Sequence, residues 1–188
     1  AHGLSMGVLT TTAVSASASS GRGWIFVGGS NGVAVLCQGD GTGWATLSSL
    51  STITSGYSFV KLKKADGTDF SQVTQISTDG SCFYVVCADG VYRCPYSATN
   101  FASGLAGETL IAAPAVLLGA AYETILSMVI VGSYAFLGTT QGLWINDGSL
   151  SAVTNTVGTG GWNELLMTPS TTENFGVCSQ LLFVPGAS

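Results

Sequence analysis

Apolar runs rich in β-branched and aromatic residues alternate along this chain with short polar breaks built on glycine. The clearest is Cys82-Phe83-Tyr84-Val85-Val86-Cys87-Ala88-Asp89-Gly90-Val91-Tyr92-Arg93. Its two apolar arms flank an Asp-Gly pair, which predicts two strands joined by a tight type I′ hairpin turn. Upstream, Trp24-Ile25-Phe26-Val27-Gly28-Gly29 and Val33-Ala34-Val35-Leu36 flank Asn31-Gly32 in the same way. Downstream, Tyr134-Ala135-Phe136-Leu137 and Leu143-Trp144-Ile145 flank Gln141-Gly142. An aromatic residue (Phe26, Tyr84, Phe136) stands at the same offset before each turn glycine. The stretch Leu181-Leu182-Phe183-Val184 matches the first strand of that hairpin once more.

A period of roughly 50 residues built from short strands is the mark of a β-propeller, in which each four-stranded blade stacks on its neighbours. The predicted fold class is therefore all-β, a β-propeller segment of about three and a half four-stranded blades. The chain reads as a single propeller domain or fragment over residues 1–188, with blades at about 10–50, 73–104, 124–157 and, incomplete, 162–188. Blade one opens on Thr10 to Ala18, and its outer strand follows the Asp40-Gly41 turn near Trp44. Residues 50–72 read as a linker holding a short exposed strand in which Phe59, Lys61 and Lys63 alternate with Val60, Leu62 and Lys64. The outer strands of blades two and three are expected near Asn100–Ala102 and near 150–156. Trp162 to Met167 opens blade four. Three and a half blades are fewer than a closed propeller needs, so completion by the rest of a longer chain, or by self-association, is expected.

Composition narrows the function classes. Charged residues make up only 8% of the 188, Lys and Arg number five and the net charge is −5, so nucleic acid is not an expected partner. The most apolar region, Leu110 to Ala121, is too short to cross a bilayer and carries Pro114 and Gly119, so membrane insertion is not expected. The start of the chain lacks the basic and long apolar regions of a signal peptide. The five cysteines fit no zinc spacing and read as buried free thiols.

The pattern of aromatic strand, X-Gly-Val and then Asp40-Gly41-Thr42-Gly43-Trp44 loosely resembles the BNR/Asp-box class of propellers, which includes sialidase-like folds. Gly41 and Trp44 fit the box, whereas the Asp stands one place late. In that class the box implies a structural turn. A sialidase-like site would need several arginines to grip a carboxylate, and this chain has only Arg22 and Arg93. Asp40, Asp66, Asp79, Asp89 and Asp147 all precede glycine and read as turn-forming side chains. Glu123 and Glu164 are the carboxylates placed to face a channel, and His2 is the sole histidine.

No catalytic residues, metal ligands or cofactors are assigned on these grounds. Trp44 and Trp162, near strand starts, are the candidate binding residues, while Trp24 and Trp144 read as packing residues. The expected function is a non-enzymatic binding or structural module whose blade loops recognise a protein or glycan, in an extracellular or cell-surface setting. The alternatives are part of a carbohydrate-active propeller enzyme, or an extracellular surface or assembly protein.

Overall fold

The computed structural model describes residues 10–15, 23–43, 56–119, 123–166 and 175–184. They form three four-stranded antiparallel sheets and two short helices, so the chain is all-β. The first sheet runs β1 (Thr10–Ser15), β2 (Gly23–Gly29), β3 (Gly32–Gln38), β4 (Tyr57–Leu62). The second runs β5 (Gln75–Thr78), β6 (Cys82–Cys87), β7 (Gly90–Pro95), β8 (Thr109–Ala112), with α1 (Ala98–Ala102) before its last strand. After α2 (Pro114–Leu117), the third runs β9 (Ile125–Val131), β10 (Tyr134–Thr139), β11 (Leu143–Asn146), β12 (Trp162–Leu165). Each sheet is a meander, its strands neighbouring one another in chain order.

The three recurring hairpins form where the sequence places them, with a different turn. The two residues between the strands are Ser30-Asn31 and Ala88-Asp89, and the glycine follows them. Gly32 and Gly90 take positive φ (+111° and +148°), whereas Asn31 and Asp89 do not. A positive-φ residue after the two loop residues is the bulged hairpin alternative to a type I′ turn. The turn therefore sits one residue earlier than the Asn-Gly reading, and Val33 faces Gly28 rather than Ser30.

The outer strands depart further from expectation. In the first sheet the outer strand is β4, with Val35 opposite Val60 and Ala34 opposite Lys61. It thus lies in the stretch read as a linker. Around Asn100 the chain is helical, because Ser97 caps α1 by accepting from the Asn100 amide at 3.2 Å. The second sheet closes instead with β8, inside the apolar connection. Trp162–Leu165 pairs with β11 and completes the third sheet rather than opening a fourth. No strand forms among the described residues 175–184.

The chain divides into two compact units, one of Ala1–Phe83 with Cys94–Glu108 and the other of Tyr84–Arg93 with Thr109–Ser188. The first is built on an aromatic cluster. One face of its sheet presents Phe26, Val33, Val35 and Leu62, all buried. Phe26 stacks on Phe83 at 4.2 Å, Trp24 stacks on Tyr96 at 5.6 Å, and Phe101 from α1 meets Trp24 and Phe26 edge-on. Each such ring stabilises by about 1.5–3 kcal/mol through burial. Trp24 also donates its indole N–H to Gly41 O at 3.1 Å, which ties the 38–43 turn to the cluster.

The second unit relies more on buried polar groups. Asn146 accepts from the Ala135 amide at 2.6 Å and donates to Ser133 O and Gly148 O at 3.2 and 2.9 Å. Asn155 accepts from the Ala113 amide at 2.7 Å, and Arg93 donates to the carbonyls of Leu150 and Ser151. Satisfying these groups matters because a buried, unpaired one costs about 1–3 kcal/mol. The apolar core here is Leu137, Met128, Trp144, Ile111 and Trp162.

Candidate functional site

The face of the first sheet opposite the aromatic cluster is open. Register sets Val27, Ala34 and Lys61 side by side across β2, β3 and β4, and sets Ile25, Leu36 and Phe59 in the next row. Gly29 and Gly32 pair at the end of the hairpin and add no side chains of their own, and the Lys61 stem lies beside Gly32. The result is a cleft of about 410 Å³, lined by Val27, Ala34, Phe59 and Lys61, with Ser30 and Asn31 at its rim. The Phe59 ring is 56% exposed, well above what a packed phenylalanine shows.

Charge at this cleft is balanced. Lys61 Nζ lies 2.5 Å from Asp69 Oδ2, with both side chains about half exposed. The Lys61 hydrogen bond and charge hold the Asp69 carboxyl below its ordinary range. The neighbouring lysines form no basic patch. Lys64 is buried with its ammonium 5.6 Å from the Phe70 ring centre. The cleft therefore offers one exposed aromatic face, small apolar walls and a rim of donors and acceptors. That chemistry suits stacking and hydrogen bonding.

Trp44 lies outside the described residues, as does His2. Trp162 is described and is fully buried, its indole N–H donating to Ile111 O at 2.6 Å. The exposure expected of it is corrected: opening β12 inside a completed sheet, it packs and caps a strand carbonyl, leaving no free ring face. Trp24 and Trp144 pack as expected. Phe59, Ser30 and Asn31 were not singled out from sequence. The signal for Phe59 was present, since it alternates with lysines on a strand and so belongs to the solvent-facing row.

The aspartates before glycine act in turns. Asp40 and Asp66 each accept from the amide and the hydroxyl of the threonine two residues on, at 2.6–2.9 Å. Asp79 accepts likewise from Ser81, Asp147 accepts from the Gly160 amide, and Asp89 accepts from Tyr92 Oη at 2.7 Å. The Thr68 hydrogen bonds hold Asp66 below the ordinary carboxylate range.

The two glutamates expected to face a channel are both described. Glu123 accepts a short hydrogen bond from the Thr140 hydroxyl, which, with Gln141, lowers its pKa and keeps it ionised. Glu164 is exposed on β12 opposite Trp144. Of the five cysteines, Cys37, Cys87 and Cys94 are buried, and Cys82 and Cys178 are half-buried. Burial, and then the Asp40 charge, push the Cys37 thiol up, away from the reactive thiolate. Among the described residues no group of three or more His, Cys, Asp or Glu could hold a metal, and no helix is long and apolar enough to cross a membrane.

The chain matches no family model, and no curated protein or solved structure is significantly similar to it.

Proposed function

We propose that this chain is a β-propeller segment that serves as a non-enzymatic binding module, with the cleft over the first sheet taking a protein or glycan ligand. Two features support the propeller reading. Each sheet is a four-stranded meander in chain order, the connectivity of a blade, and the hairpin recurs at the blade period. The observation that carries the binding reading is the exposed Phe59 side chain, which with Val27, Ala34 and Lys61 lines a cleft that reaches the Gly29–Gly32 end of the hairpin. A pyranose ring or the edge of an extended peptide would stack on Phe59 and hydrogen-bond to Ser30, Asn31 and the exposed backbone.

The test is a glycan array and a peptide library probed in parallel with the chain and with Phe59→Ala. The expected result is retention of one ligand class without turnover. Phe59→Ala should weaken it tenfold or more while leaving the melting temperature within a few degrees, because surface truncations seldom exceed about 0.5 kcal/mol. Equal retention by Phe59→Ala would move the site elsewhere. Hydrolysis that disappears with Glu123→Gln or Glu164→Gln would replace the module reading with the enzyme reading.

A further inference from the structure

A segment with no strand partner among the described residues, at 175–184, repeats a docking geometry found in the other unit. In the first unit, Val73 donates its amide to Gly29 O at 3.1 Å, just before β5 begins. This close approach needs the glycine beside it. A Cβ on Gly28 would lie 2.6 Å from Val73 Cγ1 and 2.9 Å from Ile76 Cδ1. In the second unit, Cys178 donates its amide to Thr139 O at 2.8 Å. Here a Cβ on Gly138 would collide with the carbonyl oxygen of Cys178 and lie 2.6 Å from Ser127 Oγ. Gly28 and Gly138 are equivalent positions, each two residues after the hairpin aromatic (Phe26, Phe136) and each paired with the residue that follows the turn glycine, Val33 or Leu143.

The docked sequences agree as well. Val73-Thr74-Gln75-Ile76 is matched by Cys178-Ser179-Gln180-Leu181, residue type by residue type. Gln180 to Phe183 thus stands where β5 stands, as the first strand of a sheet. The likeness of Leu181–Val184 to the first strand of the hairpin would put Phe183 one strand further on. The amide bond to Thr139 overrides that local likeness, because it anchors the register from Cys178.

What differs is the neighbour. β5 is joined by the short 79–81 turn to β6, where Thr78 Oγ1 donates to Cys82 O at 2.9 Å. Ile76 is buried at 3% exposure. Leu181 is half-buried, while Leu182, Phe183 and Val184 are 86%, 47% and 71% exposed. Leu181, Leu182 and Phe183 also line an apolar cavity of about 220 Å³ with Val129, Phe136 and Leu143.

We infer that Gln180–Val184 is a strand edge, unpaired among the described residues, that accepts an antiparallel strand of the β6 kind, rich in aromatic and β-branched residues, by β-augmentation. The occupant follows from the equivalence: the segment that repeats β5 takes what β5 takes. Backbone amides and carbonyls of 180–184 supply the ladder, and the added aromatic side chains cover Leu182 and the cavity. This site belongs to the other unit from the Phe59 cleft and stands whether or not that cleft binds a ligand.

The test uses the whole chain and a synthetic peptide carrying residues 79–95 with its three cysteines replaced by serine. Amide exchange is followed by mass spectrometry with and without the peptide. The expected result is at least tenfold slower exchange at 180–184 with the peptide, no change with a scrambled peptide, and loss of the effect in Leu182→Pro. That variant removes one ladder donor at an exposed position, and its melting temperature should match the parent's. Unchanged exchange at saturating peptide would overturn the proposal, as would equal protection by the scrambled peptide. Protection already present in the chain alone and rising with its concentration would assign the edge to a second copy and overturn it too.

Discussion

The segment that docks beside Gly28 and the one that docks beside Gly138 begin alike and end differently. The first runs on into β5 and buries Ile76; the second carries Leu181 half-buried and Leu182 almost bare. In both, a backbone amide bond at a side-chain-free glycine seats the segment against the sheet. Burial comes only with the neighbouring strand, whose side chains close over the apolar row. The two units also spend their interiors differently. The first concentrates aromatic rings around Phe26, and the second threads side-chain amides and an arginine between loops.

The largest effect should come from the aromatic cluster. Phe26→Ala removes a fully buried ring stacked on Phe83 and should cost about 3–5 kcal/mol in denaturant unfolding. Amides of the first unit should exchange faster in this variant than those of the second. A uniform acceleration would show that the two units unfold as one.

Next come the docking glycines. Gly28→Ala forces a Cβ against Val73 and Ile76, both fixed in the core, and should cost about 1–3 kcal/mol through overpacking. Gly138→Ala meets Cys178, whose segment lacks a strand partner among the described residues. It should instead free the amides of 175–184 to exchange, with a smaller loss of melting temperature. Equal losses would mean that the second docking is as firmly held as the first.

The smallest effect is set by pH. Burial pushes the Tyr96 phenol up to about 12, against the opposing hydrogen bond with Thr78. Its folded pKa lies above the unfolded value of about 10. Its contribution is therefore complete below about pH 10 and is lost as pH rises through about 12. Denaturant midpoints should fall over that window and flatten in Tyr96→Phe, with the first unit loosening first.

The hairpins were legible because turn glycine, aromatic and β-branched residues recur together at fixed offsets around Gly32, Gly90 and Gly142. Their exact turn was not, since Asn31 and Asp89 tolerate positive φ and yet do not use it. The outer strands were hidden for a different reason. An edge strand is paired on one side only, so β4 (Tyr-Ser-Phe-Val-Lys-Leu) reads as an exposed strand within a linker, and β8 (Thr-Leu-Ile-Ala) is too short to stand out from the apolar stretch around it. Trp162 looked like the start of something new because it follows Gly158–Gly161, whereas those glycines only turn the chain back onto β11. The lysine row marks the face on which Phe59 lies, but the cleft also depends on how β2 and β3 pair beside it, which the β4 pattern alone does not record.

The aspartate turns bear on how the molecule ages. Among aspartyl dipeptides Asp-Gly is prone to cyclise to a succinimide and reopen as isoaspartate, because the unhindered glycine amide nitrogen can swing onto the side-chain carboxyl carbon. Five such pairs lie in this chain. In each, the carboxylate is engaged by a hydroxyl or an amide, and at Asp66 it is also kept ionised, the form that cyclises slowest. Folding therefore protects the covalent backbone at the very sites where an unfolded copy would be chemically shortest-lived.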